Sequence, residues 1–171
     1  MHTDNSPERF QSAAVLLRSA DDWILQHRDD KKGIAQPGAV GLWGGRAENE
    51  SPLDNALREL REETGLRLPP EQLEHITEVS YKLGVTCVNG TIETRQIDAT
   101  LFLAHQGRIG RFKPTEGQGI IYLSLPELFL PNPTAPFDKT IELDLIIGQL
   151  AQDRHPAYEE ALNRNGHLAT G

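Results

Sequence analysis

Cysteine is nearly missing from this chain, with Cys87 the only one. A single thiol forms no intrachain disulfide and no multi-cysteine metal site. It suits a reducing compartment, and a cytoplasmic location is expected. Long apolar runs are missing too: none approaches the ~20 residues of a membrane-spanning helix. Met1 to Gln11 lack the basic start and apolar stretch of a secretory signal. Positive charge is in deficit, with 17 Lys and Arg against 25 Asp and Glu, a formal net charge of -8. That argues against a general nucleic-acid binder, which needs a basic face. The expected partner is a small molecule, with neither nucleic acid nor membrane. An acidic chain can still hold a polyphosphate if metal ions lie between carboxylates and phosphates. The six histidines (2, 27, 75, 105, 155 and 167) show no ligand spacing, which speaks against zinc. No serine has a nucleophile-elbow context.

What is present suits one domain over residues 12–164, with flexible tails at 1–11 and 165–171. Ala13 to Arg18 and Trp23 to Arg28 read as strands joined by the turn Ser19-Ala-Asp-Asp22. Val40 to Trp43 reads as a short strand ending at Gly44-Gly45. The best helix runs from Pro52 to Glu63, with Ser51 as N-cap and Gly65 as its left-handed stop. Leu53, Ala56, Leu57 and Leu60 share one face of it at the 3.6-residue period. Residues 73–83, 92–104 and 119–123 are further strands, with Asn89-Gly90 as a turn between the first two. Residues 126–130 read as a helical turn, 138–151 as an amphipathic helix with Ile141, Leu145 and Ile146 apolar, and 156–164 as a weaker helix. Strands and helices interleave without regular βαβ spacing, so a mixed sheet flanked by helices is expected, an α/β class.

Glu59, Glu62 and Glu63 stand at i, i+3 and i+4, so they form one stripe on that helix. Three carboxylates there repel one another, at the helix end that disfavours negative charge. A solvated acidic face is one explanation. A site for a hard cation is the other, because Mg²⁺ and Mn²⁺ want oxygen ligands. The surroundings favour the cation. Gly44, Glu50, Arg58, Glu59, Leu60, Glu62, Glu63, Gly65 and Leu66 fit one pattern, G-x5-E-x7-R-E-U-x-E-E-x-G-U, with U apolar. At average residue usage a chance match has a probability of about 10⁻⁹ per starting position. The segment 44–66 resembles the Nudix hydrolase signature. It departs from many members in one respect: Gly44-Gly45-Arg-Ala-Glu-Asn-Glu50 is one residue shorter between the glycine pair and Glu50.

The resemblance implies an α/β/α sandwich with a loop–helix–loop catalytic motif on a mixed sheet. It also implies hydrolysis of a nucleoside diphosphate linked to another group, with Mg²⁺ or Mn²⁺ as cofactor. By that match Glu59 and Glu63 are direct metal ligands, and Glu62 is a further ligand or the base that orients water. Arg58 pairs with Glu50 or Glu62 and joins loop to helix. Gly44 or Gly45 lets the backbone approach the metal; counting by the pattern selects Gly44. Glu116, before Gly117-Gln118, is the candidate distal glutamate that completes the metal site or acts as base. Arg28 and Arg46 are candidate clamps for substrate phosphates. Asn132 and Phe137 are weaker pocket candidates. The first substrate class is a nucleotide sugar or similar diphosphate. The alternatives are a (deoxy)nucleoside triphosphate and a non-catalytic nucleotide-binding module. A homodimer is compatible with the resemblance.

Overall fold

A computed structural model describes residues 6–105, 114, 117, 119–130 and 138–168. The elements run β1 (Glu8–Arg18), β2 (Asp22–His27), β3 (Val40–Gly41), β4 (Trp43–Arg46), α1 (Pro52–Thr64), β5 (Leu73–Thr86), β6 (Ile92–His105), β7 (Gly119–Ser124), α2 (Ile141–Gln152) and α3 (Pro156–Leu168). Short 3-10 turns lie at Pro70–Gln72 and Glu127–Phe129.

The sheet is mixed and seven-stranded. β1 runs parallel to β6 along its whole length and antiparallel to the other strands it touches. Only Leu17 and Arg18 of β1 pair with β2, opposite Ile24 and Trp23. Beyond that junction the two strands diverge, and the segment 40–46 fills the gap. Its β3 part pairs with the far end of β2, and its β4 part pairs with Ser12 to Val15 of β1. β5 lies outside β6, and β7 outside β2.

Side chains of β1 alternate between two cores, as the pleat requires. Ala13, Val15 and Leu17 pack with Trp43 and with Ala56 and Leu60 of α1. Ala14 and Leu16 face the other way, toward Leu143, Ile146 and Leu150 of α2 and Ala157 and Ala161 of α3. The result is the α/β/α sandwich expected. Both tryptophans are buried, and each satisfies its indole N–H within the core: Trp23 donates to the Leu125 carbonyl and Trp43 to that of Ile24, both at 3.0 Å.

Several bounds differ from the sequence expectation. β1 starts at Glu8, inside the segment read as a lead-in. Its first residues alternate with exposed Arg9 and Gln11 and owe their conformation to pairing with Arg95 to Ala99 of β6. The strand expected to end at Trp43 continues through both glycines to Arg46, because β1 supplies backbone partners there. α2 begins at Ile141, capped by the Thr140 side chain, so Leu143 rather than Leu145 points inward, and Leu145 is exposed. No described helix is long and apolar enough to cross a membrane.

Candidate functional site

α1 is built as its sequence indicates. The Ser51 side chain accepts from the Asp54 N–H at 3.1 Å. Gly65, at φ 77°, ends the helix and returns its N–H to the Arg61 carbonyl at 2.8 Å. The apolar stripe through Ala56 and Leu60 is pressed on β1 and β4. That fixes where Glu59, Glu62 and Glu63 emerge.

Arg58 ties the helix to the loop before it. Its Nη2 donates to Glu50 Oε1 at 2.7 Å and its Nε to the same carboxylate at 3.0 Å. Its Nη1 reaches Glu62 at 3.1 Å and Glu59 at 3.2 Å. Its Nη2 also caps the Arg46 carbonyl at 3.1 Å. The sequence offered Glu50 or Glu62 as partner; Arg58 contacts both. The hydrogen bond from Arg58 holds the Glu50 carboxyl below its ordinary pKa, and the same bond raises that of Arg58.

The shortened loop closes at Asn49, which adopts a left-handed conformation with φ 54°. Asparagine tolerates that region better than most residues. Asn49 therefore makes the turn that lets Glu50 fold back under Arg58.

Glu63 is 2% exposed and accepts from Gln26 Nε2 at 2.9 Å; Gln26 itself is 4% exposed. Burial pushes the pKa of the Glu59 carboxyl up, and Arg58 opposes that only in part. Glu62 is half exposed. The three carboxylates thus occupy a gradient from core to solvent. Among the described residues, no group of three or more His, Cys, Asp or Glu side chains is arranged to hold a metal ion. Here Glu59 and Glu62 lean toward Arg58, and Glu63 toward Gln26.

The two glycines have different tasks. A Cβ on Gly44 would lie 2.1 Å from the Ala13 carbonyl oxygen, so Gly44 is required for close packing of β4 on β1. A Cβ on Gly45 would lie 2.7 Å from Glu59 Oε1. It is Gly45, rather than the Gly44 selected by the pattern count, that lies against the Glu59 carboxylate. The Gly45 carbonyl accepts from Asn55 Nδ2 at 3.1 Å, and Asn55 Oδ1 accepts from Arg58.

On the opposite face of β4 lies a cavity of about 340 Å³. Arg28 and Arg46 both line it, as do Gly44 and Gly45. The glycine pair is therefore a wall without side chains between the carboxylate helix and the cavity. Arg28 is steadied by donating its Nε–H to the Ala35 carbonyl at 3.0 Å. Glu116, Asn132 and Phe137 lie outside the described residues. Gly117 is described: at φ 83° it sits where a Cβ would come within 2.5 Å of the His27 carbonyl, beside Gln26.

Sequence reasoning missed four participants. Asn55 stands four residues before Glu59, so helical spacing could have placed it on the same stripe. Gln26 and Arg95 reach the site through strand pairing, for which a single sequence carries no local signal. Gln36 lines the cavity with φ 49°; it donates to Glu142 at 2.9 Å and accepts from the Ile141 N–H at 2.6 Å, and Tyr81 donates to the same glutamate.

The α/β/α sandwich thus sets a carboxylate-bearing helix beside an arginine-lined cavity. The chain belongs to the Nudix family: the NUDIX domain model matches residues 8–145, and the chain is a pyrophosphohydrolase of that type. No curated protein matches it in sequence. Solved structures place the fold in the same company. A MutT NUDIX hydrolase from Burkholderia pseudomallei is 20% identical with TM-score 0.61, over 84% of this chain and 98% of the other. The dihydroneopterin triphosphate pyrophosphohydrolase of E. coli is 19% identical with TM-score 0.61, over 86% of this chain and 98% of the other. A bifunctional NMN adenylyltransferase/ADP ribose pyrophosphatase from Francisella tularensis, complexed with AMP and Mn ion, is 19% identical with TM-score 0.57. That likeness covers 86% of this chain and 42% of the other.

Proposed function

We propose that this chain is a metal-dependent hydrolase of the pyrophosphate bond in a nucleoside diphosphate linked to another group, with a nucleotide sugar as the first candidate. One observation carries the reading. Arg28 and Arg46 line one cavity, and only the glycine pair separates it from Glu59. Cations that can grip phosphates thus lie across a thin wall from carboxylates that can grip a cation.

The donor set suits Mg²⁺ or Mn²⁺, both of which prefer oxygen ligands. Glu59, Glu63 and Glu62 would hold the ion, with a main-chain carbonyl of the glycine pair. The observation behind this fit is the Glu59 carboxyl, whose burial disfavours the charged form until a cation offsets it. Bound metal would neutralise the anhydride and lower the pKa of a bound water. The rest is the work of the chain. Gln26 orients Glu63 through one of its carboxylate oxygens. Arg58 holds the loop at Arg46 and sets the lean of Glu59 and Glu62. Glu62, the most exposed of the three, has the freedom to take a proton from water. Glu116 is proposed as the distal glutamate.

The ADP ribose pyrophosphatase among the structural neighbours is named for a compound of the first substrate class, and the E. coli neighbour for a triphosphate that is a pterin rather than a nucleotide. Phosphorus NMR separates the first class from the runner-up, a (deoxy)nucleoside triphosphate. Wild type and Glu63→Gln are incubated with Mg²⁺ or Mn²⁺ and a panel of nucleotide sugars, dinucleotides and nucleoside triphosphates. Release of nucleoside monophosphate and sugar phosphate, lost in the variant, is the expected result. Release of pyrophosphate from triphosphates alone moves the assignment to the runner-up. Saturable binding without cleavage supports a binding module. Equal cleavage by both proteins refutes the role of Glu63. A single domain, a cytoplasmic location and a homodimer complete the proposal.

A further inference from the structure

Arg95 was not singled out by any sequence motif, yet it lines the cavity beside Arg46. Parallel pairing of β1 with β6 places it there, in register with Glu8. The Arg46 guanidinium carbon lies 4.1 Å from the centroid of the Phe10 ring, and that of Arg95 5.5 Å. Two like charges are held across one aromatic ring, which attracts each but does not cancel either. Among the described residues no carboxylate lies within 4.0 Å of Arg46; Arg95 has one, Glu93, at 3.6 Å. Arg95 Nε is buried and has no acceptor among the described residues. A buried guanidinium N–H without an acceptor costs stability unless something else supplies one. The pair stands out all the more in a chain of net charge -8.

Resting on the proposed function, we infer that Arg46 and Arg95 bind a second phosphate of the substrate, a monoester carried on the group remote from the scissile anhydride. Stacking of a nucleobase is disfavoured, because Phe10 is only 9% exposed and Arg46 covers its ring. The Tyr81 hydroxyl is committed to Glu142. Two carboxylates also line the cavity, Glu8 and Glu142, the latter engaged by Gln36 and Tyr81; against them stand the guanidinium groups of Arg28, Arg46 and Arg95, which suit phosphate oxygens. Arg95 also lines an adjoining open groove with Lys82, Glu8 and Glu93, which gives the remote group a way toward solvent.

The test needs no hydrolysis, so it stands apart from the proposed activity. Adenosine 3′,5′-bisphosphate, adenosine 2′,5′-bisphosphate, AMP and GMP contain no anhydride. Their affinities are measured by calorimetry at fixed Mg²⁺ for wild type, Arg95→Met and Arg95→Lys. At least one bisphosphate should bind wild type about tenfold more tightly than AMP, the scale of one charge-assisted hydrogen-bonded pair. The preference should vanish in Arg95→Met, whose stem still packs on Phe10, and return in part in Arg95→Lys. In wild type labelled with ¹⁵N-arginine, the bisphosphate should shift one Nε–H resonance that is missing from Arg95→Lys. This readout does not depend on how well Arg95→Met folds. Equal binding of AMP and both bisphosphates, or a preference that survives in Arg95→Met, overturns the inference. So does a GMP-over-AMP preference that depends on Arg95, which would make the pair a reader of a purine edge.

Discussion

Replacing Glu63 by glutamine removes a charge and almost nothing else. The amide is isosteric, and its Oε1 can still accept from Gln26 Nε2, now at 2.9 Å from the carboxylate. What disappears is a buried negative charge one turn from Glu59, at a site where burial already pushes the Glu59 carboxyl toward its neutral form. If the carboxylates serve a cation, the wild type is destabilised without it. Glu63→Gln should then be the more stable protein in EDTA, by about 1–2 kcal/mol, the scale of relieving an uncompensated buried charge. For a chain of this size that raises Tm by about 2–8 °C. Metal reverses the order. At a hundredfold excess over Kd a cation stabilises the wild type by about 2.7 kcal/mol, and the variant should gain little of this. Differential scanning fluorimetry in EDTA and in 10⁻² M Mg²⁺, on the order of a hundred times a weak Kd, reads both effects. Wild type and variant should exchange rank between the two conditions. A variant less stable than wild type in EDTA, with an undiminished Mg²⁺ shift, would mean that Glu63 is a structural partner of Gln26, and the metal reading of the stripe would fail.

The glycine pair gives a paired contrast: Gly44→Ala should unfold at lower denaturant, since its Cβ meets the β1 backbone, whereas Gly45→Ala should lose activity and metal-induced stabilisation first, since its Cβ meets the mobile end of Glu59. Arg58→Met should unfold at lower denaturant than wild type by leaving Glu50 and its neighbours without their cation, with Arg58→Lys intermediate. Acid should weaken the fold in a defined direction. Asp98 and Glu160 have folded pKa values below their unfolded ones, held there by Arg9 and Arg18, so their stabilisation is present above about pH 4–4.5 and lost as pH falls through the folded values. Burial lowers the folded pKa of His105 as well, so the unfolded chain takes up that proton first as pH drops below about 6.5. Denaturation midpoints should decline below about pH 6.5 through His105 and further below about pH 4.5 through Glu160 and Asp98, and Asp98→Asn should flatten the part of the curve below about pH 4.

The carboxylate-bearing helix was legible because its information is local. Ser51, Pro52 and Gly65 mark its ends, and Glu59, Glu62 and Glu63 keep their spacing on any α-helix. Arg58 was legible for the same reason, since Glu62 is one turn away and Glu50 lies in the same motif. What was not legible depends on pairing between distant segments. Glu8 to Ser12 become a strand because β6 lies alongside, and Arg95 enters the cavity for that reason alone. Gln26 reaches Glu63 because β2 diverges from β1 beside α1. The division of labour between Gly44 and Gly45 was invisible as well, because it follows from which face of β4 each α-carbon presents.

That last point ties catalysis to architecture. In a β-strand successive residues face opposite sides. Gly45 therefore faces α1 while Gly44 and Arg46 face the cavity. One short strand thus carries a contact for the carboxylates and the guanidinium proposed to bind substrate, and Arg58 fixes both by bonding the Arg46 carbonyl while holding Glu59. A one-residue slip of β4 on β1 would exchange the faces and bring the Arg46 side chain toward Glu59. The packing of Gly44 on the Ala13 carbonyl works against such a slip, since no other residue fits there. The glycine that touches no functional group is accordingly the one that keeps the two halves of the site in register.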